Sequence, residues 1–514
     1  MRIYTLLFAF LLFTRLATSQ TNVTVDVKGG KHTISKHIYG HFAEHLGNCI
    51  YGGFYVGEEN RTIAHQGGVR LDVVDALKKL KIPNLRWPGG CFADTYHWKD
   101  GVGPKEKRPT IVNTWWGGVT EDNSYGTHNF LNMCELLQTE PYLSANVGSG
   151  TVQELAEWMQ YTTFDGISPM SLWRKQNGRE QPWKVKFWGV GNEAWGCGGN
   201  MRPEHYVDVY RQYATFMTGW DNSNKVFRIA SGANSSDYNW TEVLMRDIPH
   251  HMLEGVALHH YSVIDWNKKS SATGFTEAEY FTTLQRALFM DELIEKHSAI
   301  MDKYDPTKKI ALVVDEWGGW YDVEKGMNPG FLFQQNTMRD AMIAGVTLNI
   351  FQNHSDRVRM ANLAQTINVL QAVILTKEEK MILTPTYHVM EMYNVHQDAT
   401  LLPVQLQSPY YKMGNEQLKS VSASASINAA GEIHLTLVNI HATESQEVSI
   451  DLQSGKAVFN TITGRILTSK KLQDHNTFDN PRNIQPITYT GAILNNNILK
   501  AKLPPFSVVV LKVK

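Results

Sequence analysis

The sequence predicts an α/β protein, a (β/α)8 TIM barrel followed by a C-terminal all-β sandwich of jelly-roll-like type. From residue 34 to residue 393, apolar strand candidates alternate with amphipathic helical patterns. Beyond residue 393 the helical periodicity stops, and short segments of alternating polarity follow one another between turn residues. No glycine-rich dinucleotide fingerprint follows the first strand, so an open doubly wound sheet is the weaker alternative.

The alternation gives eight strand candidates and the helices between them. Strands are predicted at 36–42, 84–87, 141–147, 185–193, 227–231, 255–261, 310–316 and 347–352. Helices are predicted at 69–81, 127–138, 151–162, 203–218, 240–248, 277–302 and 331–344. The helix at 151 has a defined start, because Thr151 can cap it and Glu154 completes a capping-box pattern.

The 514 residues divide into four predicted segments. Residues 1–19 combine an early arginine, an apolar run and a small-residue site, which indicates a signal peptide cleaved before Gln20, with a retained N-terminal anchor as the alternative. That run is too short to span a bilayer, and we expect a secreted, periplasmic or cell-surface protein. Residues 20–33 contain a strand without a helix of its own, which we expect to join the β domain. Residues 34–393 form the barrel and 394–514 the sandwich.

Composition and charge narrow the possible partners. The formal net charge is −1, which provides no field to attract nucleic acid or an acidic membrane. A neutral ligand is therefore expected, and 14 Trp and 21 Tyr supply flat aromatic faces that could contact it. The four cysteines (Cys49, Cys91, Cys134 and Cys197) lack metal-type spacing and leave one or two disulfides possible, with the pairing undetermined.

Polar residues stand at the predicted carboxyl ends of the barrel strands, where the active site of such a barrel lies. Read strand by strand, they are Glu44, Arg86, Asn146, Asn192, Glu193, His259, His260, Tyr261, Glu316 and Gln352. Glu193 and Glu316 each end an apolar run and are followed by Trp and Gly, so they are predicted to face one pocket. Two carboxyl groups suit hydrolysis of a neutral polyhydroxylated substrate, since one can donate a proton while the other attacks or activates water.

Residues 41–45 also fit the H-x-x-E-H pattern of inverted zinc peptidases, which places two histidines on one helical face. Gly40 and Gly47 bracket the segment, and no apolar stripe of helical length surrounds it. We therefore expect no metal site here, and no cofactor elsewhere.

Five motifs, in order along the chain, closely resemble those of the family 51 glycoside hydrolases, chiefly α-L-arabinofuranosidases. They are IYGHFAEHLG at 38–47, LRWPGGCF at 85–92, GPKEKRP at 103–109, GVGNEAWGCGG at 189–199 and DEWG at 315–318. The resemblance implies a retaining double displacement, with Glu193 as general acid/base and Glu316 as nucleophile. It also implies carboxyl groups about 5 Å apart.

The same resemblance assigns the residues that hold the substrate. Glu44, Cys91, Asn192, Tyr261 and Gln365 match positions that contact the arabinofuranosyl ring, and Arg86 matches a residue beside the nucleophile. Trp115 or Trp116 matches an aromatic wall near the scissile bond. For His259 and His260, a role in orienting an active-site carboxylate and a purely structural role are both open.

The predicted function is exo-acting removal of terminal arabinofuranosyl groups from arabinoxylan, arabinan and related plant cell-wall oligosaccharides. An endo-acting β-glucanase or xylanase of the same family is one alternative, and a non-catalytic glycan-binding protein is another. A homo-oligomer, a hexamer in particular, is expected from the resemblance alone.

Overall fold

The computed structural model describes residues 20–220, 225–455 and 457–514, so the predicted signal peptide at 1–19 lies outside the described residues. An N-terminal strand, β1 (Thr21–Asp26), precedes a closed barrel of eight parallel strands. The barrel strands are β2 (Gly40–Phe42), β3 (Asn84–Trp87), β4 (Glu140–Ala145), β5 (Phe187–Val190), β6 (Phe227–Asn234), β7 (Gly255–Ser262), β8 (Ala311–Gly319) and β9 (Val358–Leu363). The predicted barrel is confirmed.

Helices lie between these strands in the sequence, and a last helix follows β9. They are α1 (Leu71–Leu80), α2 (Thr127–Leu137), α3 (Val152–Thr163), α4 (Pro169–Gln176), α5 (Pro203–Phe216), α6 (Tyr238–Asp247), α7 (Glu277–Tyr304), α8 (Met338–Asn353) and α9 (Pro385–Tyr393). Thr151 caps α3 as predicted, since its hydroxyl accepts from the Glu154 amide. Within the described ranges, no helix combines the length and apolarity needed to cross a bilayer.

The prediction of the eighth strand at 347–352 was wrong. Those residues belong to α8, and the eighth barrel strand is β9. Every residue of α8 from Met338 to Gln352 is buried, so the helix has no polar stripe to reveal its period. Gln352 consequently lies away from the strand ends, where its amide donates to the Tyr39 hydroxyl at 2.9 Å.

Helix α8 is buried all round because the C-terminal domain covers its outer side. Asn349 of α8 donates to Ser422 at 3.1 Å and accepts from Thr436 at 2.7 Å. A Cβ at Gly345 would lie 2.9 Å from a methyl carbon of Val438, so glycine permits this close approach. The helix thus joins the barrel to the domain that follows it.

The C-terminal domain is a sandwich of two sheets that share one apolar core. The first sheet has the order Val404–Gln407, β1, Gln446–Gln453, Ile498–Leu503 and Ala492–Asn495. The second has the order Thr400–Leu402, Val421–Ile427, Ile433–Asn439, Ser507–Val513, Ile462–Leu467 and Ile487–Thr488. Strand β1 therefore lies inside the first sheet, antiparallel to one neighbour and parallel to the other.

Four short hairpins contain the remaining described strands. They pair His65–Gln66 with Val69–Arg70, Ile111–Val112 with Thr120–Glu121, Ile374–Lys377 with Lys380–Leu383, and Tyr410–Met413 with Glu416–Lys419. The second hairpin encloses the loop that carries Trp115 and Trp116 over the carboxyl ends of the barrel strands.

Candidate active site

Strand β8 carries Glu316 into the centre of the barrel mouth, where its side chain is buried. One of its carboxylate oxygens accepts from Arg86 of β3 at 2.9 Å. The other accepts from the hydroxyl of Tyr261 on β7 at 2.7 Å. Two donors from different strands thus fix both oxygens, and the guanidinium supplies the positive charge that a carboxylate ion requires.

The Arg86 guanidinium also ties other strand ends together. It donates to Ser144 on β4 at 3.2 Å and to the side-chain oxygen of Asn192, just after β5, at 2.5 Å. Burial opposes its charge, but the carboxylates of Asp315 and Glu316 outweigh burial and raise the pKa of Arg86. The cation is therefore permanent and holds Asn192 and Glu316 at fixed positions.

Glu193 follows β5 in a different environment. Its backbone is in the left-handed region at φ 41°, and Gly191 just before it has φ 82° with no room for a Cβ beside Val147. The strained turn aims the Glu193 side chain into the pocket. Burial and the charge of Glu316 raise the pKa of Glu193, although a hydrogen bond with His259 opposes the shift. Its side chain remains 18% exposed.

His259 links the two halves of the site. One ring nitrogen lies 2.9 Å from Glu193 and the other 3.0 Å from Asp315, which directly precedes Glu316 on β8. Burial lowers the pKa of His259, but the negative charges of Glu316 and Asp315 outweigh it and raise that pKa to about 10. The ring is thus an imidazolium that donates to the carboxyl groups of both Glu193 and Asp315.

The carboxylates of Glu193 and Glu316 are close neighbours. One oxygen of each lies within 4.8 Å of the other and of a nitrogen of His259. An inverting glycosidase needs a separation of roughly 6.5 to 9.5 Å to admit a water between the two groups. The nearest oxygens of Glu193 and Glu316 lie closer together than that range, which favours the retaining geometry of about 5 Å.

Glu44 and Gln365 form a second wall on the side of β2 and β9. Glu44 is buried and accepts from the indole of Trp116 at 2.9 Å, from the amide of Gln365 at 2.9 Å and from the Phe92 backbone at 3.3 Å. Burial, with a contribution from the charge of Glu316, raises the pKa of Glu44 to about 8. A Cβ at Gly90 would lie 2.8 Å from the Glu44 carboxylate, so glycine lets the chain pass there.

Cys91 forms a disulfide with Cys197, which settles a pairing that the sequence left open. The sulfurs of Cys91 and Cys197 lie 4.0 and 3.5 Å from the same oxygen of Glu193. Cys49 and Cys134 are free and buried. The bridge joins the segment after β3 to the loop after β5 and forms a wall beside Glu193.

Three of the polar strand-end residues do not enter the site. Asn146 accepts from the amides of Ser149 and Gly150 and so stabilises its own turn. His260 points the other way, toward the Arg286 carbonyl, and Gln352 lies in α8. Of the two histidines whose role was open, His259 is the one that contacts the carboxylates.

Sequence reasoning missed several buried partners. Asp315 was noted only as part of a motif, yet it accepts from both His259 and Tyr142. Asp94 accepts from the backbone amides of Val147, Gly148 and Asn192, and so joins the loops after β3, β4 and β5. The role of Asp315 could have been suspected, because a carboxylate at the end of an apolar strand needs buried partners. No local sequence pattern indicated the role of Asp94.

The H-x-x-E-H segment does not form a helix. Its first residues belong to strand β2, so His41 and His45 do not share a helical face. His45 instead contacts Glu121 at 2.9 Å and accepts from the Trp87 indole at 3.1 Å. The spacing in the sequence is therefore a coincidence.

Comparisons with known proteins agree with this geometry. Residues 76–273 match the family model described as Alpha-L-arabinofuranosidase 1 domain, and residues 315–507 match the Alpha-L-arabinofuranosidase C-terminal domain. The chain is 52% identical over 500 residues to an intracellular exo-alpha-L-arabinofuranosidase of Bacteroides ovatus, covering 97% of this chain and 96% of that one. The chain belongs to the α-L-arabinofuranosidases of glycoside hydrolase family 51. The predicted family and enzyme class are confirmed.

Two solved arabinofuranosidase structures extend the comparison to the fold. The GH51 arabinofuranosidase from Xanthomonas axonopodis pv. citri superimposes with a TM-score of 0.94 at 48% identity, over 96% of this chain and all of that one. The Thermotoga maritima α-L-arabinofuranosidase, solved as an arabinose complex, gives a TM-score of 0.84 at 30% identity, over 96% and 99% of the two chains. Barrel and sandwich thus match together.

The prediction of export was wrong. The Bacteroides ovatus relative is named as an intracellular enzyme, although it matches almost the whole chain. The predicted signal peptide at 1–19 lies outside the described residues. An apolar run after one arginine indicates a leader only by composition, which is compatible with other N-terminal segments.

Proposed function

We propose that this protein is an exo-acting, retaining α-L-arabinofuranosidase in which Glu316 is the nucleophile and Glu193 the general acid/base. The observation that carries the assignment is that one carboxyl oxygen of Glu193 and one of Glu316 lie within 4.8 Å of each other in unlike environments. Arg86 and Tyr261 hold Glu316 at both oxygens. Glu193 is partly exposed and has a raised pKa. One group is built to remain an anion and the other to carry a proton.

In the first step a Glu316 oxygen attacks the anomeric carbon of the arabinofuranosyl group, and the bond from that carbon to the leaving oxygen breaks. Glu193 gives its proton to the leaving oxygen as the bond breaks. The product is an arabinosyl ester of Glu316. Arg86 and Tyr261 orient the nucleophile so that little rearrangement is needed before attack.

In the second step a water replaces the departed alcohol and Glu193 accepts its proton. The charge of Glu316 is one of the causes that raise the pKa of Glu193, and the ester has lost that charge. The pKa of Glu193 therefore falls, which suits a base, and the imidazolium of His259 stabilises the resulting carboxylate. Water attack releases arabinose and restores Glu316.

The remaining polar groups fit the hydroxyl groups of one sugar ring. Glu44 and Gln365 meet at the closed side of the pocket, and the Gln365 carbonyl oxygen is buried without a partner among the described residues. Asn192, Tyr261 and the sulfur of Cys91 complete the proposed ring contacts, and Trp116 supports Glu44. A buried acceptor without a partner favours a ligand hydroxyl in that place.

The proposed substrates are terminal arabinofuranosyl groups on arabinoxylan, arabinan and their oligosaccharides. The Bacteroides ovatus relative is named exo-acting, and the Thermotoga maritima enzyme was solved with arabinose. These names support a pocket for a terminal sugar over the endo-acting and non-catalytic alternatives. The hexameric state stays a prediction from resemblance.

The test is hydrolysis of p-nitrophenyl α-L-arabinofuranoside. We expect wild-type activity, its loss in Glu316→Ala, and loss in Glu193→Ala that azide restores, because azide needs no base to attack the arabinosyl ester. The azide product should be arabinosyl azide of retained configuration. Glu292→Ala, which removes an exposed glutamate of α7, is the matched control and should keep wild-type activity.

Each outcome separates the assignments. An inverted azide product, or azide rescue of Glu316→Ala in place of Glu193→Ala, would overturn the two roles. Wild-type inactivity on this substrate with activity on a soluble β-glucan or xylan would support the endo-acting alternative. Inactivity on all of them with measurable arabinan binding would support the non-catalytic one.

A further inference from the structure

The disulfide beside Glu193 belongs to a cluster of three side chains that can bind a metal ion. Cys91, Glu193 and Cys197 each offer one ligand atom, and these atoms all lie within 4.8 Å of one another. The cysteines are 106 residues apart, so no spacing in the sequence indicates the group. The proposed mechanism gives proton transfer to Glu193 and a ring contact to Cys91, but it gives Cys197 no part. We call these three residues the sulfur–carboxyl cluster.

The sulfurs and the carboxyl oxygen have nearly the separations of a zinc site. Oε2 of Glu193 lies 4.0 Å from the sulfur of Cys91 and 3.5 Å from the sulfur of Cys197. In a tetrahedral site Zn²⁺ lies about 2.3 Å from a thiolate sulfur and about 2.1 Å from a carboxylate oxygen, which puts sulfur and oxygen about 3.5 Å apart. Only the two sulfurs must move away from each other, and they are free to do so once the bond between them is broken.

Hydrogen bonds from outside the cluster orient its ligand atoms. A ring nitrogen of His259 lies 2.9 Å from Oε1 of Glu193, so Oε2 is the oxygen left facing the sulfurs. The side-chain amide of Asn192 donates to the sulfur of Cys197 at 3.8 Å, which favours a thiolate over a thiol. Partners of this kind, which hold metal ligands from behind, raise the affinity of a metal site.

The two segments that carry the sulfurs are joined by bonds that do not depend on the disulfide. Asp94, in the same short helix as the first sulfur, accepts from the backbone amide of Asn192 at 3.1 Å. The Gly198 amide donates to the Glu193 carbonyl at 3.1 Å, so the second sulfur and the carboxyl group stay on one turn. Reduction therefore gives the loop more freedom but leaves both sulfurs beside Glu193.

The sulfur–carboxyl cluster is also accessible. Its three side chains are partly exposed, whereas the free thiols of Cys49 and Cys134 are buried. A small reductant and a metal ion can thus reach the cluster while the other thiols stay enclosed.

We propose that reduction of the disulfide converts the sulfur–carboxyl cluster into a Zn²⁺ site that inhibits the enzyme. A dithiol breaks the Cys91–Cys197 bond and is oxidised to its cyclic disulfide, so two electrons and two protons pass to the cysteines. Zn²⁺ then binds two thiolates and Oε2 of Glu193, with water as fourth ligand, and the thiol protons and any proton on Glu193 pass to the solvent. Two thiolates and one carboxylate favour Zn²⁺ over Mg²⁺ or Ca²⁺.

The bound ion blocks the proton transfers of Glu193. With Zn²⁺ on its oxygen, Glu193 has no proton for the leaving group and accepts none from water. This inhibition rests on the proposed function, whereas binding of the ion does not. We expect zinc to lower the activity of the reduced enzyme about 100-fold, since a general acid/base contributes at least that much.

The first test compares the oxidised and the reduced protein in zinc. The protein is reduced with dithiothreitol, separated from it without oxygen, and assayed on p-nitrophenyl α-L-arabinofuranoside with and without Zn²⁺. Only the reduced protein should lose activity, and EDTA should restore the activity of the reduced, metal-free protein. Equal inhibition of the oxidised and reduced proteins would overturn the proposal.

The second test measures binding by itself, with Co²⁺ as the probe. Cobalt bound by thiolates shows a sulfur-to-metal charge-transfer absorption, which the reduced protein should develop at one ion per chain and the oxidised protein should lack. Absence of this absorption from the reduced protein would overturn the site. Wild-type inactivity on the nitrophenyl substrate would overturn only the proposed function, because the cobalt absorption still reports the site.

Cys197→Ser and Cys49→Ala are the matched variants. Reduced Cys197→Ser should need at least about 100-fold more zinc for half-inhibition, because even the partners behind metal ligands change affinity about 10- to 100-fold. Reduced Cys49→Ala keeps the cluster and should be inhibited as the reduced wild type is. A Cys197→Ser protein with the cobalt absorption and zinc sensitivity of the reduced wild type would place the metal elsewhere and overturn the proposal.

Discussion

Two buried arginines hold carboxylates at opposite ends of the barrel, and their surroundings differ. At the amino ends of the strands, Arg357 donates to the Asp305 carboxylate at 3.0 Å and to the backbone carbonyls of Asp305 and Ile310 at 2.9 Å. At the carboxyl ends, Arg86 donates to side chains that end three other strands, those of Ser144, Asn192 and Glu316. The first arrangement joins a loop to a strand, whereas the second positions groups that face the pocket.

The carboxylates beside the two arginines are also satisfied differently. Asp305 accepts from Arg357 and from the Ile310 backbone amide. At the mouth, the carboxyl groups of Glu193, Asp315 and Glu316 share one imidazolium and one guanidinium, so ionisation of all three would leave an excess of negative charge. Arg357 also pairs with Asp302, which shares Lys308 with Asp356, but both of these carboxylates are partly exposed to solvent. The difference teaches that an ion pair stabilises the fold where surplus negative charge is solvated, and tunes proton affinity where the surplus is enclosed.

The largest expected effect comes from removing each arginine. Arg86→Met should lower kcat/KM about 1000-fold, because Glu316 and Asn192 lose the donor that positions them. Arg357→Met should lower the free energy of unfolding by about 3 to 5 kcal/mol, since it leaves a buried carboxylate unpaired. The kcat/KM of the folded Arg357→Met protein should stay within about threefold of wild type. Nitrophenyl arabinofuranoside kinetics and thermal unfolding check both.

Equal losses of activity in the two variants would contradict the comparison. So would a loss of Arg86→Met activity that stabilising solutes restore, since the fault would then be in folding. Circular dichroism of both proteins at the assay temperature separates the two cases.

The second largest effect is expected from removing the positive charge of His259 at the mouth of the barrel. In the wild type the positive charge of His259 and its hydrogen bond to Glu193 both lower the pKa of Glu193. His259→Gln removes the charge. The basic limb of the kcat/KM profile should therefore move to higher pH. The rate should fall about 100-fold, as Glu193 loses its orientation. A pH profile measures both effects.

His297→Gln is the control for that substitution. His297 is also buried, but it contacts Thr241 and the Ser235 carbonyl outside the pocket. Its pH profile should match the wild type. A His259→Gln profile with an unmoved basic limb would show that His259 has no influence on the proton affinity of Glu193.

The parts of the fold that depend on local sequence patterns were predictable, and the parts that depend on long-range contacts were not. The barrel was predictable because seven of its eight strands are apolar runs, and amphipathic helices alternate with them along the sequence. The second half of helix α8 was predicted wrongly as a strand. The helix contacts both the barrel and the sandwich, so it has no solvent-exposed polar side. Burial on all sides depends on tertiary contacts, so it cannot be predicted from a short stretch of sequence.

The site shows a similar division. Glu193 and Glu316 were predictable as carboxylates at strand ends, and His259 could be placed beside them but not distinguished from His260. The bond of His259 to Asp315 and the turn of His260 toward Arg286 depend on a bulge between β7 and β8. The contacts of Asp94 join segments 53 and 98 residues away in the chain, which no spacing rule relates.

The disulfide beside Glu193 should have a smaller effect than His259, because it confines the acid/base without bonding to it. Reduction of Cys91–Cys197 by a small dithiol, or Cys197→Ser, should lower kcat/KM about tenfold as the loop after β5 gains freedom.

Thiol titration of the unfolded protein should give two free thiols before reduction, those of Cys49 and Cys134. The Cys49→Ala variant keeps the bridge and should respond to the dithiol as wild type does. Four thiols before reduction would contradict the bridge.

The smallest expected effect concerns stability and comes from Glu44 at the mouth. Its pKa is about 8 in the folded protein against an ordinary value of 4.5, so the folded state binds more protons than the unfolded state between those values. The stabilisation is complete below the lower value and is lost as pH rises through the higher one. In Glu44→Gln a permanently neutral amide replaces the carboxyl group. Between pH about 5 and about 8, the Tm of this variant should therefore fall by on the order of 2 °C less than the Tm of the wild type.

Glu295→Gln, on the exposed face of α7, should keep the wild-type dependence of Tm on pH. Equal slopes in wild type and Glu44→Gln would mean that Glu44 is already ionised in the folded protein, and the closed side of the pocket would then carry a full negative charge before the sugar enters.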